Sequence, residues 1–178
     1  MRGRLLRSSK HPPLRPTTEK VRSAIFSIIG QEEANGARVL DVYAGTGSLG
    51  IEAMSRGASW CDFIESNLKR SQQIQQTLRE MKIADRTRVY NANVDRVADL
   101  VSGPYDLVFA DPPYDFDPWN RLMQYLNTEN TLHDKSLVIA EHSSEKNLSK
   151  YYGTLSLITR RRYGDTSISI YKPGLRND

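Results

Sequence analysis

Four consecutive residues, Asp111-Pro112-Pro113-Tyr114, combine groups that seldom meet outside a reaction centre, and they directly follow the apolar run Leu107-Val108-Phe109-Ala110. Two successive prolines hold the backbone extended and remove two amide donors, which leaves the Pro112 carbonyl available as an acceptor. Asp111 supplies a second acceptor and Tyr114 a flat face for stacking. The exocyclic amine of a nucleobase is complementary to this set, with two N–H donors beside a π surface. Its lone pair is delocalised into the ring, so it is a poor nucleophile. Two acceptors on its hydrogens would hold it pyramidal and aim the lone pair at an electrophilic methyl group, for an in-line displacement governed by orientation. The nitrogen turns acidic as the new bond forms, and Asp111 or water can take the proton. Asp111 is read chiefly as the acceptor that orients the amine and stabilises its developing positive charge. A Pro pair is also a common rigid turn; its position after the fourth strand of the sheet inferred below favours the chemical reading. The base would have to be unpaired or flipped.

A second motif lies upstream, in Val39-Leu40-Asp41-Val42-Tyr43-Ala44-Gly45-Thr46-Gly47-Ser48-Leu49-Gly50. A glycine turn between a strand and a helix lets the backbone approach a ligand closely. The simplest reading is a dinucleotide pyrophosphate on the helix N-terminus. Asp41 argues against it, because a carboxylate at the strand end would repel a pyrophosphate yet could order a ligand's ammonium through water or backbone. S-adenosylmethionine has an amino-acid tail and no phosphate, and D-x-x-x-G-x-G is the methyltransferase form of the motif. Asp41, Ala44, Gly45, Thr46 and Gly47 are therefore assigned to that cofactor. Glu65 ends the next strand, where a carboxylate can accept both hydrogen bonds of a ribose diol, with Ser66 beside it. NAD enzymes share this feature, so it does not choose between cofactors. Asn93 follows the third strand, where it could bond the adenine amino group with Val94 alongside, although a plain turn residue is nearly as good a reading. Singly these residues are a cap, a surface acid and a turn; at successive strand ends they form a site.

The elements that must position these residues are legible from periodicity. Thr17 or Thr18 can cap a helix reaching Ile29, with Val21, Ala24, Ile25, Ile28 and Ile29 as its stripe and Gly30 as its end. Strands are expected at 39–42, 60–65, 87–91, 105–110 and 137–141. Helices are expected from the glycine turn to about Arg56, near 67–81, near 94–101 and at 119–126. This alternation implies a mostly parallel sheet with helices on both faces. Residues 154–162 and 166–171 then form a hairpin around Tyr163-Gly164-Asp165, because no helix fits between them. A parallel sheet ending in an antiparallel hairpin resembles the class I methyltransferase fold, an α/β Rossmann-like sheet of seven strands. Residues 1–16 read as a basic N-terminal arm and 17–178 as the methyltransferase domain.

Composition bounds the alternatives. Hydrophobic residues at 38% and charged residues at 26% suit a globular domain, and no apolar run is long enough to span a bilayer. The single cysteine, Cys61, cannot form a disulfide within the chain, which fits a cytoplasmic setting, and it reads as core filler rather than a catalytic thiol. His11, His133 and His142 lack ligand spacing, so no metal site is expected. The net charge of +4 is unevenly spread. Arg2, Arg4, Arg7 and Lys10 stand in an acid-free start, and Arg160-Arg161-Arg162 form a second cluster. Such patches suit a phosphate backbone, and a solvated surface accounts for them about equally well. A transit peptide fits the start less well, because Pro12, Pro13 and Pro16 interrupt any amphipathic helix.

With those residues assembled, the chain resembles the RsmD family of small-subunit ribosomal RNA guanine-N2 methyltransferases. The likeness rests on Leu14-Arg15-Pro16-Thr17-Thr18-Glu19-Lys20-Val21-Arg22, on 40–50 with Glu52-Ala53 and Ser55-Arg56-Gly57-Ala58, on Phe63-Ile64-Glu65, on residues 111–114 and on Tyr163-Gly164-Asp165-Thr166. It implies a guanine of 16S-type ribosomal RNA as substrate, presented in a partly assembled small subunit, with the Arg-Pro-Thr-Thr segment over the cofactor and a monomeric enzyme. Two departures stand out: Tyr43 occupies a position where Phe is common, and Met1 falls inside a segment that in the family adds a further strand. The competing expectations are an adenine-N6 methyltransferase of DNA or RNA, a nicotinamide-dependent oxidoreductase, and a non-catalytic ribosomal RNA-binding or assembly factor.

Overall fold

Thr18 opens the first helix as the residue types require: its side chain accepts a hydrogen bond from the Val21 amide at 3.3 Å. This is a computed structural model, and it describes residues 18–174 apart from Glu129. Helix α1 (Glu19–Ile29) ends at Gly30, whose φ of 95° few other residues tolerate. Its buried face is Val21, Ile25, Phe26 and Ile29. Phe26 lay outside the expected stripe; it is held between the Phe109 ring and the Arg56 guanidinium.

The chain then alternates as expected through β1 (Arg38–Val42), α2 (Ser48–Ser55), β2 (Trp60–Glu65), α3 (Leu68–Glu80), β3 (Thr87–Asn91), α4 (Val97–Leu100), β4 (Tyr105–Ala110), α5 (Trp119–Leu126) and β5 (Leu132–Ser143). The remaining strands are β6 (Tyr151–Tyr152), β7 (Leu155–Tyr163) and β8 (Thr166–Pro173). They form one eight-stranded sheet in the order β3-β2-β1-β4-β5-β8-β7-β6. The first five strands pair in parallel, and β8 inserts antiparallel between β5 and β7. This is the order of the class I methyltransferase fold with one added edge strand.

Three details depart from the sequence reading. The eighth strand, β6, is only two residues long and too short to show a period; it pairs with Ser156 and Leu155 across a turn at Gly153. Strand β5 starts at Leu132 rather than Leu137, and its extension carries exposed Asp134 and Lys135 with no apolar alternation to announce it. The helix expected near 94–101 splits into a 3₁₀ turn at Val94–Arg96 followed by α4.

Strand alternation divides the interior into two layers. Val39, Phe63, Leu107, Phe109 and Ile139 pack with residues of α1, α2 and α3. Leu40, Ile64, Val108, Val138 and Tyr171 pack with α4 and α5 around Trp119 and Met123. Cys61 is fully buried in the first layer, and burial pushes its thiol well above the ordinary value, as expected of filler.

Helix α2 packs tightly on β2 at Gly50. A Cβ there would overlap the Phe63 ring and lie 2.8 Å from Cys61 Sγ. Gly50→Ala is therefore expected to lower unfolding stability by about 1–3 kcal/mol through overpacking. Urea denaturation is the check, and a variant as stable as the parent would mean that the two elements can separate freely.

Candidate active site

The sheet changes direction between β1 and β4: chain progression runs outward from β1 through β2 and β3, then restarts on its other side with β4. The carboxyl ends of neighbouring strands diverge at such a switch point, leaving a crevice. Both sequence motifs open there, the glycine turn from β1 and Asp111-Pro112-Pro113-Tyr114 from β4.

Register brings the acids together. Asp41 lies opposite Phe63 in β2 and Phe109 in β4. Glu65 stands two residues beyond Phe63 within β2, so strand parity directs it to the face of Asp41, and Asp111 directly follows β4, near enough for its charge to act on Asp41. Asp41 is buried, and its Oδ2 accepts a hydrogen bond from the Gly50 amide at 2.9 Å. Desolvation by burial, reinforced by the charges of Asp111 and Glu65, pushes its pKa up to about 8; the Gly50 bond opposes the shift.

In the glycine turn Tyr43, Gly45 and Gly47 all have positive φ, of 62°, 59° and 76°. Gly47 also caps α2 in the left-handed conformation. Tyr43 adopts that region without being glycine, a strained choice of the kind that collects at functional sites. Ala44 is buried and its amide donates to the Ile64 carbonyl, while Thr46 is exposed.

Glu65 does more here than end a strand. Its Oε2 accepts from the Gly45 amide at 2.8 Å and its Oε1 from the Asn67 amide at 2.7 Å, so it ties the glycine turn to the start of α3. The Arg70 guanidinium lies 4.0 Å from Oε1, and each carboxylate oxygen carries two lone pairs. Ser66 is exposed, and its carbonyl accepts from the Asn91 amide group, which also reaches the Glu65 carbonyl. Asn91 went unnoticed in the sequence; an amide at a strand end was its only signal. Asn93 is exposed and caps the 3₁₀ turn by accepting from Asp95 N at 3.1 Å, the turn role that is nearly as good a reading of the sequence as ligand contact. Val94 is half-buried against the α4–α5 layer with Tyr43.

Asp111 and Tyr114 are half-buried and Pro112 is buried. The Pro113 carbonyl accepts the Phe116 amide at 3.0 Å, closing the chain into a tight bend. The Tyr114 hydroxyl lies 2.5 Å from Thr166 Oγ1 at the start of β8. Beyond the bend, Phe116 is 50% exposed with its ring edge on Tyr43. It borders a cleft of about 540 Å³ between α4 and α5 that Tyr43, Val94 and Arg121 also line.

The cationic residues behave differently from one another. Arg160 is committed internally: its guanidinium bonds Ser169 Oγ, Asn147 Oδ1 and the Leu148 carbonyl. It clamps the loop after β5, which leaves fewer of its donors for a phosphate than the sequence reading supposes. Arg161 and Arg162 are exposed, and Arg162 donates to the Gly164 carbonyl at 3.0 Å. Arg2, Arg4, Arg7 and Lys10, the 1–16 arm and the Arg-Pro-Thr segment before Thr18 lie outside the described residues. Among the described residues no group of His, Cys, Asp and Glu is arranged to hold a metal, and no helix is long and apolar enough to cross a membrane.

Residues 1–172 match the family described as conserved hypothetical protein 95. The ribosomal RNA small subunit methyltransferase D of Escherichia coli (strain K12) is 32% identical over 171 residues, 96% of this chain and 85% of that protein. The chain belongs to this family, the RsmD family. A solved structure of a conserved hypothetical protein from Streptococcus pyogenes superposes with a TM-score of 0.80 at 34% identity, covering 89% of this chain and 98% of that one. An RNA methyltransferase from Salinibacter ruber, solved with S-adenosyl-L-homocysteine, shares the fold alone at 13% identity, with a TM-score of 0.67 and coverage of 92% and 96%. Thr166 and Tyr114, from two of the segments on which the resemblance rests, meet across the sheet edge in this structure.

The raised pKa of Asp41 has a consequence for stability. Between its ordinary value of 3.8 and about 8, the folded chain binds more protons at Asp41 than the unfolded chain does. Its contribution to stability is therefore present at low pH, declines as pH rises through that window, and levels off above about 8. Asp41→Asn should flatten this decline in denaturation curves taken from mildly acidic to mildly alkaline pH. An identical slope in the variant would locate the effect elsewhere.

Proposed function

We propose that the chain is an S-adenosylmethionine-dependent ribosomal RNA methyltransferase that acts on the exocyclic N2 amine of a guanine in small-subunit ribosomal RNA. The observation that carries this reading is the convergence of Asp41, Glu65 and Asp111 on the glycine turn, close enough for two of the charges to raise the pKa of the third. A ligand bearing a sulfonium and an ammonium relieves that repulsion, whereas a dinucleotide pyrophosphate adds to it. Membership in a family that includes ribosomal RNA small subunit methyltransferase D supports both the reaction and the substrate class.

On this reading Asp41 orders the amino-acid end of the cofactor through the backbone, and Ala44, Gly45, Thr46 and Gly47 approach it closely. Glu65 accepts from the ribose with its remaining lone pairs, and Ser66, Asn93 and Val94 border the adenine. When bound, the cofactor supplies an electrophilic methyl group. Asp111 and the Pro112 carbonyl accept the two N–H bonds of the base amine, and the Tyr114 ring stacks on the base. Asp111 or water removes the proton released as the nitrogen gains its methyl group. Binding energy for RNA comes from Arg161, Arg162 and the basic 1–16 arm, and domain 17–178 performs the transfer. The setting is the cytoplasm, the form a monomer and the substrate a partly assembled small subunit.

Asp111→Ala is expected to lower kcat by roughly 10²–10⁴-fold while cofactor affinity stays within a few-fold. Titration calorimetry and single-turnover assays measure the two separately, and a parallel loss of both would assign Asp111 to the cofactor pocket. Mass spectrometry of the nucleosides decides the base: N2-methylguanosine supports the proposal, and N6-methyladenosine as sole product replaces it with the adenine alternative. The double charge reversal of Arg161 and Arg162 should reduce the salt slope of RNA binding by about one per arginine. An unchanged slope would leave these residues as a solvated surface.

A further inference from the structure

We infer that Thr166 is a positioning residue for the target base, because its hydroxyl fixes the Tyr114 ring from the first residue of the C-terminal hairpin. The inference rests on the methyltransferase reading above.

Strand β8 runs antiparallel to β5 and begins at Thr166, opposite Ser143 at the end of β5. Strand β4 flanks β5 on its other side and releases Asp111-Pro112-Pro113-Tyr114 at the same edge. The antiparallel insertion thus brings the beginning of one strand to the place where its parallel neighbours finish. There the Thr166 hydroxyl meets the Tyr114 hydroxyl at 2.5 Å, with Thr166 only 4% exposed. A tyrosine has two rotatable side-chain bonds, and holding its far end fixes both. Threonine suits the task because branching at Cβ stiffens χ1, so its backbone dictates where the oxygen sits.

The hairpin is built to keep that backbone still. Tyr163 pairs directly with Thr166, which leaves a two-residue loop, Gly164-Asp165, with φ of 61° at Gly164. A slip of one residue would turn the Thr166 side chain to the opposite face of the sheet. The Asp165 carbonyl accepts the Ser144 amide at 2.8 Å, pinning the loop to the end of β5. Lys146 Nζ, from the segment after β5, reaches Asp117 Oδ2 at 2.9 Å and ties the bend after Tyr114 to the same assembly. Arg160 of β7 holds that segment through Asn147 and Leu148. A buried hydroxyl needs a partner in any fold. Here the partner is the one aromatic ring in the tetrapeptide, and three further ties immobilise the frame around it.

The test compares the parent chain with T166V, T166S, Y114F and the double variant Y114F/T166V. The readouts are methyl transfer to small-subunit RNA, calorimetric cofactor binding and thermal melting. T166V is expected to lose about tenfold in kcat, in keeping with one hydrogen bond that holds a reacting group in place. Its cofactor affinity should stay unchanged, and T166S should recover turnover by restoring the hydroxyl. Y114F removes the same bond from the other side, so it should lose at least as much as T166V, and the double variant should be no slower than Y114F. If T166V fails to melt cooperatively, Y114F and T166S carry the comparison. Parent-like turnover in T166V, or losses that multiply in the double variant, would overturn the positioning role while leaving the enzymatic reading intact. A parent chain that methylates no guanine would instead bring down that reading and this inference with it.

Discussion

Burying a carboxylate at the end of a central strand costs free energy unless something stabilises its charge, and much of this structure is arranged around that cost at Asp41. The Gly50 amide offsets part of it, and that bond requires α2 to begin immediately after the glycine turn. The same packing brings Gly50 against Phe63 and Cys61, so tight contact between helix and sheet is a condition of the acid's position. Glu65 and Asp111 increase the cost and add to the upward push on the Asp41 pKa. A fold that tolerates three converging acids on one edge makes energetic sense if a cationic ligand occupies that edge during function.

The two ends of the chain's chemistry are supported by different means. On the cofactor side, main-chain amides do the work: Gly45, Asn67 and Gly50 all donate to carboxylates, and the turn is shaped by backbone conformation at Tyr43, Gly45 and Gly47. Around the bend that follows β4, side chains from distant elements do it: Thr166, Lys146 and Arg160 hold the bend and the segment beside it. Main-chain donors give a site whose shape resists substitution, whereas side-chain ties can be altered singly.

The opposite end of the sheet shows why polar groups away from the site need no functional account. Asp62 is buried, accepts from the Tyr105 hydroxyl at 2.7 Å and lies 3.8 Å from the Arg38 guanidinium. Asp106 accepts the Arg38 amide and meets His133 at 2.8 Å. At the carboxyl end of β5, by contrast, His142 bonds Ser169 Oγ and the Ser143 carbonyl, and burial lowers its pKa. Most of these groups find partners inside the fold, although among the described residues Arg38 Nε is buried without a hydrogen-bond partner.

What the amino-acid order determined by itself was everything carried by local period or local chemistry. The strands at Trp60–Glu65, Thr87–Asn91 and Tyr105–Ala110 and the helix at Trp119–Leu126 were legible to the residue, because apolar alternation and turn residues bound them sharply. The turn glycines, the acids at strand ends and the tetrapeptide were legible for the same reason. The two-residue β6 and the polar start of β5 were not, since neither carries a pattern of its own. Tertiary structure alone decided the partnerships. It bound Glu65 to Gly45, paired Thr166 with Tyr114 across fifty-two positions, and turned Arg160 inward while its neighbours Arg161 and Arg162 stayed exposed. Such pairings depend on which strands become neighbours and in what register, and register is a property of the assembled sheet rather than of any one segment.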